Sequence, residues 1–78
     1  MIEIPTDLQV NQPTVTVLSN TFMSIENYKS ILEYDINLIR IQTKVNTIKI
    51  SGDKLYLKYI TETEIGIKGI IYSVEYTT

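Results

Sequence analysis

Apolar residues recur at every second position through most of the chain between residues 38 and 76. The positions that follow this period are Ile39, Ile41, Ile48, Ile50, Leu55, Leu57, Tyr59, Ile65 and Ile67. Side chains of a β-strand point alternately to the two faces of its sheet, so this period is typical of strands with one buried face. The pattern predicts a sheet with an apolar face and a polar face.

The composition favours the same fold class. Ile, Thr, Tyr, Val and Phe make up 36 of the 78 residues, and these β-branched and aromatic side chains suit a pleated, half-buried surface. The chain has no Ala, the strongest helix former. At this length one domain is the limit. The sequence therefore predicts a small all-β domain.

Four connections can be tested for the hairpin register that they impose. Directly paired residues on antiparallel strands share a face, so a correct register keeps apolar residues opposite one another. A turn at Lys44-Val45 pairs Ile41 with Ile48 and Ile39 with Ile50. Further turns are predicted at Ser51-Gly52-Asp53-Lys54 (Ile50 with Leu55), at Thr61-Glu62-Thr63 (Leu57 with Ile67, Tyr59 with Ile65) and at Lys68-Gly69 (Ile67 with Ile70). All four keep one apolar face.

The N-terminal part supplies the cover that such a face needs. Residues 1–13 are predicted to be an extended lead-in with one helical turn after Thr6-Asp7, and residues 14–78 to form a single β domain. Strands are predicted from Thr14, over Phe22 to Ile25 and over Ser30 to Tyr34. The expected architecture is a small antiparallel meander or curled sheet, a sandwich or a partly open barrel. A short β-solenoid is the alternative, because strands recur every eight to ten residues.

Missing residue types exclude several kinds of chemistry. The chain has no Cys and no His, so it cannot form disulfides, thiolate sites or a Ser-His-Asp triad. Nine acidic residues against seven basic ones leave no clustered positive face for nucleic acid. We therefore predict no catalytic residue, no cofactor, no metal, no nucleic acid and no small-molecule substrate. The N-terminus lacks the pattern of a signal peptide, which favours a cytoplasmic location.

The candidate site residues are those suited to protein contact. Asn27 is expected to take a left-handed turn conformation or to cap a turn through its side chain. Tyr28 falls in a predicted loop, and Tyr56 on the polar face, so both suit an interface, where Tyr is enriched. Tyr59, Tyr72 and Tyr76 are predicted to be core residues. The proposed interface set is Glu26, Asn27, Tyr28, Tyr34 and Tyr56.

Glu26 and Glu33 are the nearest approach to paired carboxylates. A carboxylate hydrolase would need the two groups on either side of one cleft. The simpler interpretation is a charged turn and an edge-strand charge, and a minimal hydrolase remains the least favoured hypothesis.

The order of the motifs resembles the YabP/YqfC family of sporulation proteins, and most closely its YqfC branch. The central motif of that family resembles Ser24-Ile25-Glu26-Asn27-Tyr28 and the residues through Tyr34. Its downstream segments are similar to Ile39-Arg40-Ile41-Gln42-Thr43, Ile48-Lys49-Ile50-Ser51-Gly52 and Glu64-Ile65-Gly66-Ile67-Lys68-Gly69-Ile70. The resemblance covers nearly the whole chain.

This resemblance implies a non-enzymatic structural or assembly factor in the mother cell during endospore formation in Firmicutes. The abundance of Ile, Asn, Lys and Tyr favours a member of the Clostridia. Expected partners are further copies of the chain, through self-association as a homo-oligomer, and a YqfD-like membrane-associated sporulation protein. Such a partner would hold the chain at the forespore surface. The alternative is a small β-barrel module that binds a ligand or nucleic acid.

Overall fold

The computed structural model describes residues 12–78, and the predicted lead-in falls outside them up to residue 11. The described strands are β1 (Thr14–Leu18), β2 (Phe22–Glu26), β3 (Tyr28–Tyr34), β4 (Leu38–Thr43), β5 (Thr47–Ile60) and β6 (Glu64–Thr77). They form one six-stranded sheet in the order β1-β2-β6-β5-β4-β3. Residues 12–78 contain no helix. The all-β prediction is confirmed, and the solenoid alternative is wrong because the strands pair antiparallel.

The sheet curls over itself to make a core. Strands β6 and β5 separate β2 from β4 in the sheet order, which in a flat sheet would hold β2 and β4 about 14 Å apart. Yet Met23 and Ile25 of β2 belong to the same buried cluster as Ile39 and Ile41 of β4. The remaining members of this cluster are Ile48, Ile50, Leu55, Ile65, Ile67 and Ile71. The sheet order has two ends and does not close, so the curled sheet or partly open barrel is the form observed.

The two longest strands pass through both halves of the molecule. β5 and β6 each have 14 residues and pair along their length. β4 pairs with residues 47–51 at one end of β5, and β2 pairs with residues 64–68 at one end of β6. The β5–β6 hairpin therefore has β4 beside β5 at one end and β2 beside β6 at the other end.

Two predicted hairpin turns are instead bends within these long strands. Residues 51–54 lie inside β5 and residues 68–69 lie inside β6, so the pairs Ile50 with Leu55 and Ile67 with Ile70 are wrong. The glycines at these places allow close approach of two backbones. A Cβ on Gly52 would lie 2.0 Å from the carbonyl oxygen of Ile70, and one on Gly69 would lie 2.6 Å from that of Lys54. Glycine marks the bends here because only it fits between the paired strands.

The other two predicted turns are confirmed, and each begins with a threonine. Ile41 pairs with Ile48 across the first turn, and Leu57 pairs with Ile67 across the second. The backbone N–H groups of Val45 and Asn46 donate to the hydroxyl of buried Thr43. The second turn has the same arrangement, since the backbone N–H groups of Thr63 and Glu64 donate to the hydroxyl of Thr61. A hydroxyl that accepts from the following amides can stabilise a turn without glycine.

Three side chains differ from their predicted positions or partners. Tyr72 and Tyr76, predicted as core, are 69% and 54% exposed. Tyr72 is the unpaired residue at a register shift opposite Ser51 and Gly52, which turns it out of the alternation. A further shift, between Leu57 and Tyr59, pairs Tyr59 with Gly66, one position away from the predicted Ile65. Local bulges therefore change the residue pairing that the two-residue period alone predicts.

Candidate functional site

Three of the predicted interface residues form one corner of the molecule. Asn27 is the single residue between β2 and β3, and its φ of 64° confirms the predicted left-handed conformation. Its backbone N–H donates to the carbonyl oxygen of Thr63 at 2.6 Å, and its side-chain Nδ2 donates to that of Gln12 at 2.9 Å. Asn27 therefore ties the β5–β6 turn and the segment before β1 to one sharp corner.

The two neighbours of Asn27 differ in how they use this corner. The Tyr28 hydroxyl donates to the carbonyl oxygen of Thr61 at 2.7 Å, and the half-buried ring packs against the core. Glu26 is exposed at the end of β2, where its Cα partner on β6 is Glu64. Like charges directly opposite one another repel. Tyr28 thus holds the corner together, while Glu26 and Glu64 give it a negative surface.

Tyr59 is drawn into the same acidic corner. Its hydroxyl donates a short hydrogen bond to the Glu64 carboxylate, and its ring lies 6.5 Å from that of Phe22 between centroids. The hydrogen bond to Glu64 is the main cause that raises the pKa of Tyr59 above 10.0, with burial and the charges of Glu64 and Glu26 adding to it. The protonated, neutral form of Tyr59 therefore stabilises this corner.

Tyr34 and Tyr56 lie away from this corner. Tyr34 ends β3, six residues beyond Tyr28, and so lies about 20 Å along the strand from it. Its hydroxyl accepts from the backbone N–H of Leu57 at 3.3 Å. Tyr56, next to Leu57, is 48% exposed on the outer face of β5. The predicted interface set is therefore split into a corner group and a pair near the middle of β5.

The hydroxyls of Tyr28 and Tyr34 also close a seam in the curled sheet. β4 accompanies β5 only as far as Ser51, so the later part of β5 has no ladder with β3 or β4 among residues 12–78. Tyr28 reaches Thr61 across this seam, Tyr34 reaches Leu57, and the carbonyl oxygen of Ile36 accepts from Leu55 at 2.8 Å. Two side chains of β3 thus bridge the gap to β5 without forming a backbone ladder.

Glu26 and Glu33 do not share one cleft. Glu26 ends β2, and extended β3 carries the chain to Glu33, about 17 Å from Tyr28 by strand length. Glu33 instead lies 3.1 Å from Arg40 Nε, an ion pair without hydrogen-bond geometry. Both side chains are nearly half exposed, so the pair adds little to stability. The geometry does not support the carboxylate hydrolase hypothesis.

The sequence interpretation did not distinguish the two end strands of the sheet. β1 reads Thr-Val-Thr-Val-Leu without a charge and keeps an unbroken register with β2. β3 carries Lys29 and Glu33 and has two register shifts. The absence of charge in β1 was a readable signal. The bridging of β3 to β5 by Tyr28 and Tyr34 was not, because it depends on which strand the curl brings near.

Among residues 12–78 no surface pocket is present, and no group of three acidic side chains is placed to hold a metal ion. No helix in this part of the chain could cross a membrane. These described residues define a class of protein: a small domain made from one curled antiparallel sheet with unequal edges.

Comparison with known proteins places this domain in a family. The YabP family model matches residues 9–78. The chain is also 32% identical over 75 residues to "Uncharacterized protein YqfC" of Bacillus subtilis (strain 168), covering 96% of this chain and 81% of that protein. The chain belongs to the YabP family, which confirms the resemblance drawn from its motifs.

Proposed function

We propose that this chain is a non-enzymatic structural or assembly factor that acts in the mother cell during endospore formation. The observation that carries the proposal is family membership, since the match to the YabP family spans residues 9–78. The geometry supports it, because the described surface presents an uncharged strand edge and exposed tyrosines suited to protein contact.

The proposed mechanism is surface recognition. Backbone groups on an unpaired strand can add a strand from another chain, and neighbouring side chains then select the partner. The proposed partners are further copies of this chain and a YqfD-like membrane-associated sporulation protein. Binding to that membrane protein would place the chain, cytoplasmic by itself, at the surface of the forespore.

A deletion strain tests the role in sporulation. We expect the count of heat-resistant spores to fall while vegetative growth stays unchanged, and the intact gene to restore the count. Normal spore formation by the deletion strain would contradict the proposal. If the chain acts by binding alone, the purified protein should not convert any substrate that is added to it.

Binding to the membrane partner is tested with the YqfD-like protein in detergent. Tyr56→Ala removes an exposed ring from the outer face of β5 and should weaken capture of the partner. Ser73→Ala, also exposed, is the matched control and should bind as the wild type does. Equal capture by both variants would exclude Tyr56 from the interface, and no capture by the wild type would exclude the partner.

The alternative is a module that binds a small ligand or nucleic acid. It predicts oligonucleotide binding that weakens steeply with salt. Fluorescence anisotropy with labelled single strands at low and physiological salt separates the two functions. Tight, salt-sensitive binding together with normal spore counts in the deletion strain would favour the alternative.

A further inference from the structure

The edges that remain open on the sheet differ in charge and regularity. β1 lies at one end of the sheet order, and among residues 12–78 it has a neighbour on one side only. Its five residues carry no charge, no proline and no register shift. Natural proteins protect exposed edges with charges, prolines or bulges. β1 has none of these protections within its length.

We propose that β1 is the edge through which two copies of this chain pair. The two β1 strands would run antiparallel about a two-fold axis at Thr16, so that the sheet continues from one copy into the other. This inference rests on the proposed assembly function and deepens it by naming the partner surface.

The residues of β1 are complementary to themselves in this register. With Thr16 opposite Thr16 of the second copy, Val15 falls opposite Val17 and Thr14 opposite Leu18. The valines share one face and the threonines the other, and Thr–Thr and β-branched pairs stabilise neighbouring strands. Val17 and Leu18 are 45% and 59% exposed, so pairing would cover apolar surface that is now in solvent.

The other edges are less suited to a second copy. The edge of β3 is broken by two register shifts, and its tyrosines already reach β5. The later part of β6, beyond Ile71, has no strand on its outer side among the described residues, but Glu75 lies near its middle. A two-fold pairing centred there would bring two carboxylates together. Only β1 combines a regular ladder with a neutral edge.

Charge substitutions at Thr16 test both the edge and its symmetry. Thr16 is exposed, so Thr16→Lys and Thr16→Glu should fold as the wild type does, which circular dichroism checks. Each variant alone would place like charges opposite each other and raise the dimer Kd by about fivefold. An equimolar mixture should restore a Kd near the wild-type value, measured by sedimentation equilibrium. Ser30→Lys on β3 is the control and should leave the wild-type Kd unchanged.

A cysteine test remains informative if the dimer is weak. The chain has no Cys, so Thr16→Cys creates one thiol per copy, and the proposed axis sets the two thiols directly opposite. We expect rapid disulfide dimers from Thr16→Cys under mild oxidation and slow ones from Ser30→Cys.

The outcomes separate this inference from the proposed function. Self-association that ignores the Thr16 charges, or equal cross-linking of the two cysteine variants, would overturn the β1 assignment and leave the sporulation role standing. A monomeric wild type without selective cross-linking would overturn it too. Normal spore counts in the deletion strain would instead overturn the proposed function, whatever the oligomeric state.

Discussion

Asn27 shows how one residue can direct the path of the whole chain. It joins β2 to β3 with a φ of 64°, a left-handed conformation that costs most residues about 1–2 kcal/mol. Asparagine tolerates this conformation better, and here its side chain also binds Gln12. Backbone conformation and side-chain hydrogen bonding therefore make separable contributions to stability.

Two substitutions separate these contributions. Asn27→Ala should lower the free energy of unfolding by about 1–2 kcal/mol, because it loses the hydrogen bond and strains the backbone. Asn27→Gly loses the hydrogen bond but relieves the backbone, and should cost less. Urea unfolding of both variants gives the comparison. An equal loss in the two variants would show that the left-handed backbone is not the main constraint.

Tyr59 predicts a pH dependence of stability. Its pKa in the folded chain is raised above 10.0, chiefly by the hydrogen bond to Glu64. The folded state therefore holds the phenolic proton more tightly than the unfolded state does. The resulting stability is fully present below about pH 10 and is lost as the pH rises through the folded pKa.

Comparison with Tyr59→Phe isolates this effect from the other tyrosines and the lysines. Between neutral pH and about pH 11, the wild type should lose more free energy of unfolding than Tyr59→Phe does. Ultraviolet absorbance should show one late-ionising phenol in the wild type that is missing from the variant. Parallel pH profiles for the two proteins would exclude the raised pKa of Tyr59.

The elements that decide the shape are the two bends in the β5–β6 hairpin. Gly52→Ala would drive a Cβ against the Ile70 carbonyl and should destabilise the fold by about 2 kcal/mol or more. Lys54, two residues on, has a φ of 55°. Lys54→Gly relieves that conformation and should stabilise the fold slightly, by up to about 1 kcal/mol. Thermal and urea unfolding of the pair would test the bend, and similar losses in both would contradict this account.

The sequence predicted strands better than it predicted where strands end. The first four strands, the turn at Lys44-Val45 and the turn after Thr61 agree with the period and with polar turn residues. Gly52-Asp53 and Lys68-Gly69 carry the same signals, yet they bend strands that continue. A glycine allows either a tight turn or the close approach of another backbone. Which of the two occurs depends on the opposing strand.

The candidate site was predictable only where local chemistry decides it. Asn27 was predicted because its conformation depends on its own side chain and backbone. The contacts of Tyr28 with Thr61 and of Tyr34 with Leu57 span 33 and 23 residues, so they depend on the curl of the sheet. Tyr72 lies outside the core because of a bulge, and no residue in its own strand predicts that bulge.

At the scale of the whole molecule, one core joins both halves of the curled sheet. Strands β2 and β4 never pair, but their buried side chains belong to one cluster through β5 and β6. We therefore expect the two halves to unfold together in a single transition. Hydrogen exchange of the buried amides of Met23 and Ile41 should give the same free energy of opening. A lower value at one of them would indicate that its half opens separately.

The single-residue link at Asn27 has a consequence for how the molecule could be divided. β2 is held to β6 along its whole length by backbone pairing, while the covalent path to β3 runs through Asn27 alone. Two fragments cut after Asn27 would each keep their own hairpins, and their shared surface would be the β2–β6 ladder with Met23 and Ile25 buried beneath it. The chain could thus be used as a split protein, in which reassembly of the two fragments would report that the β2–β6 pairing has formed.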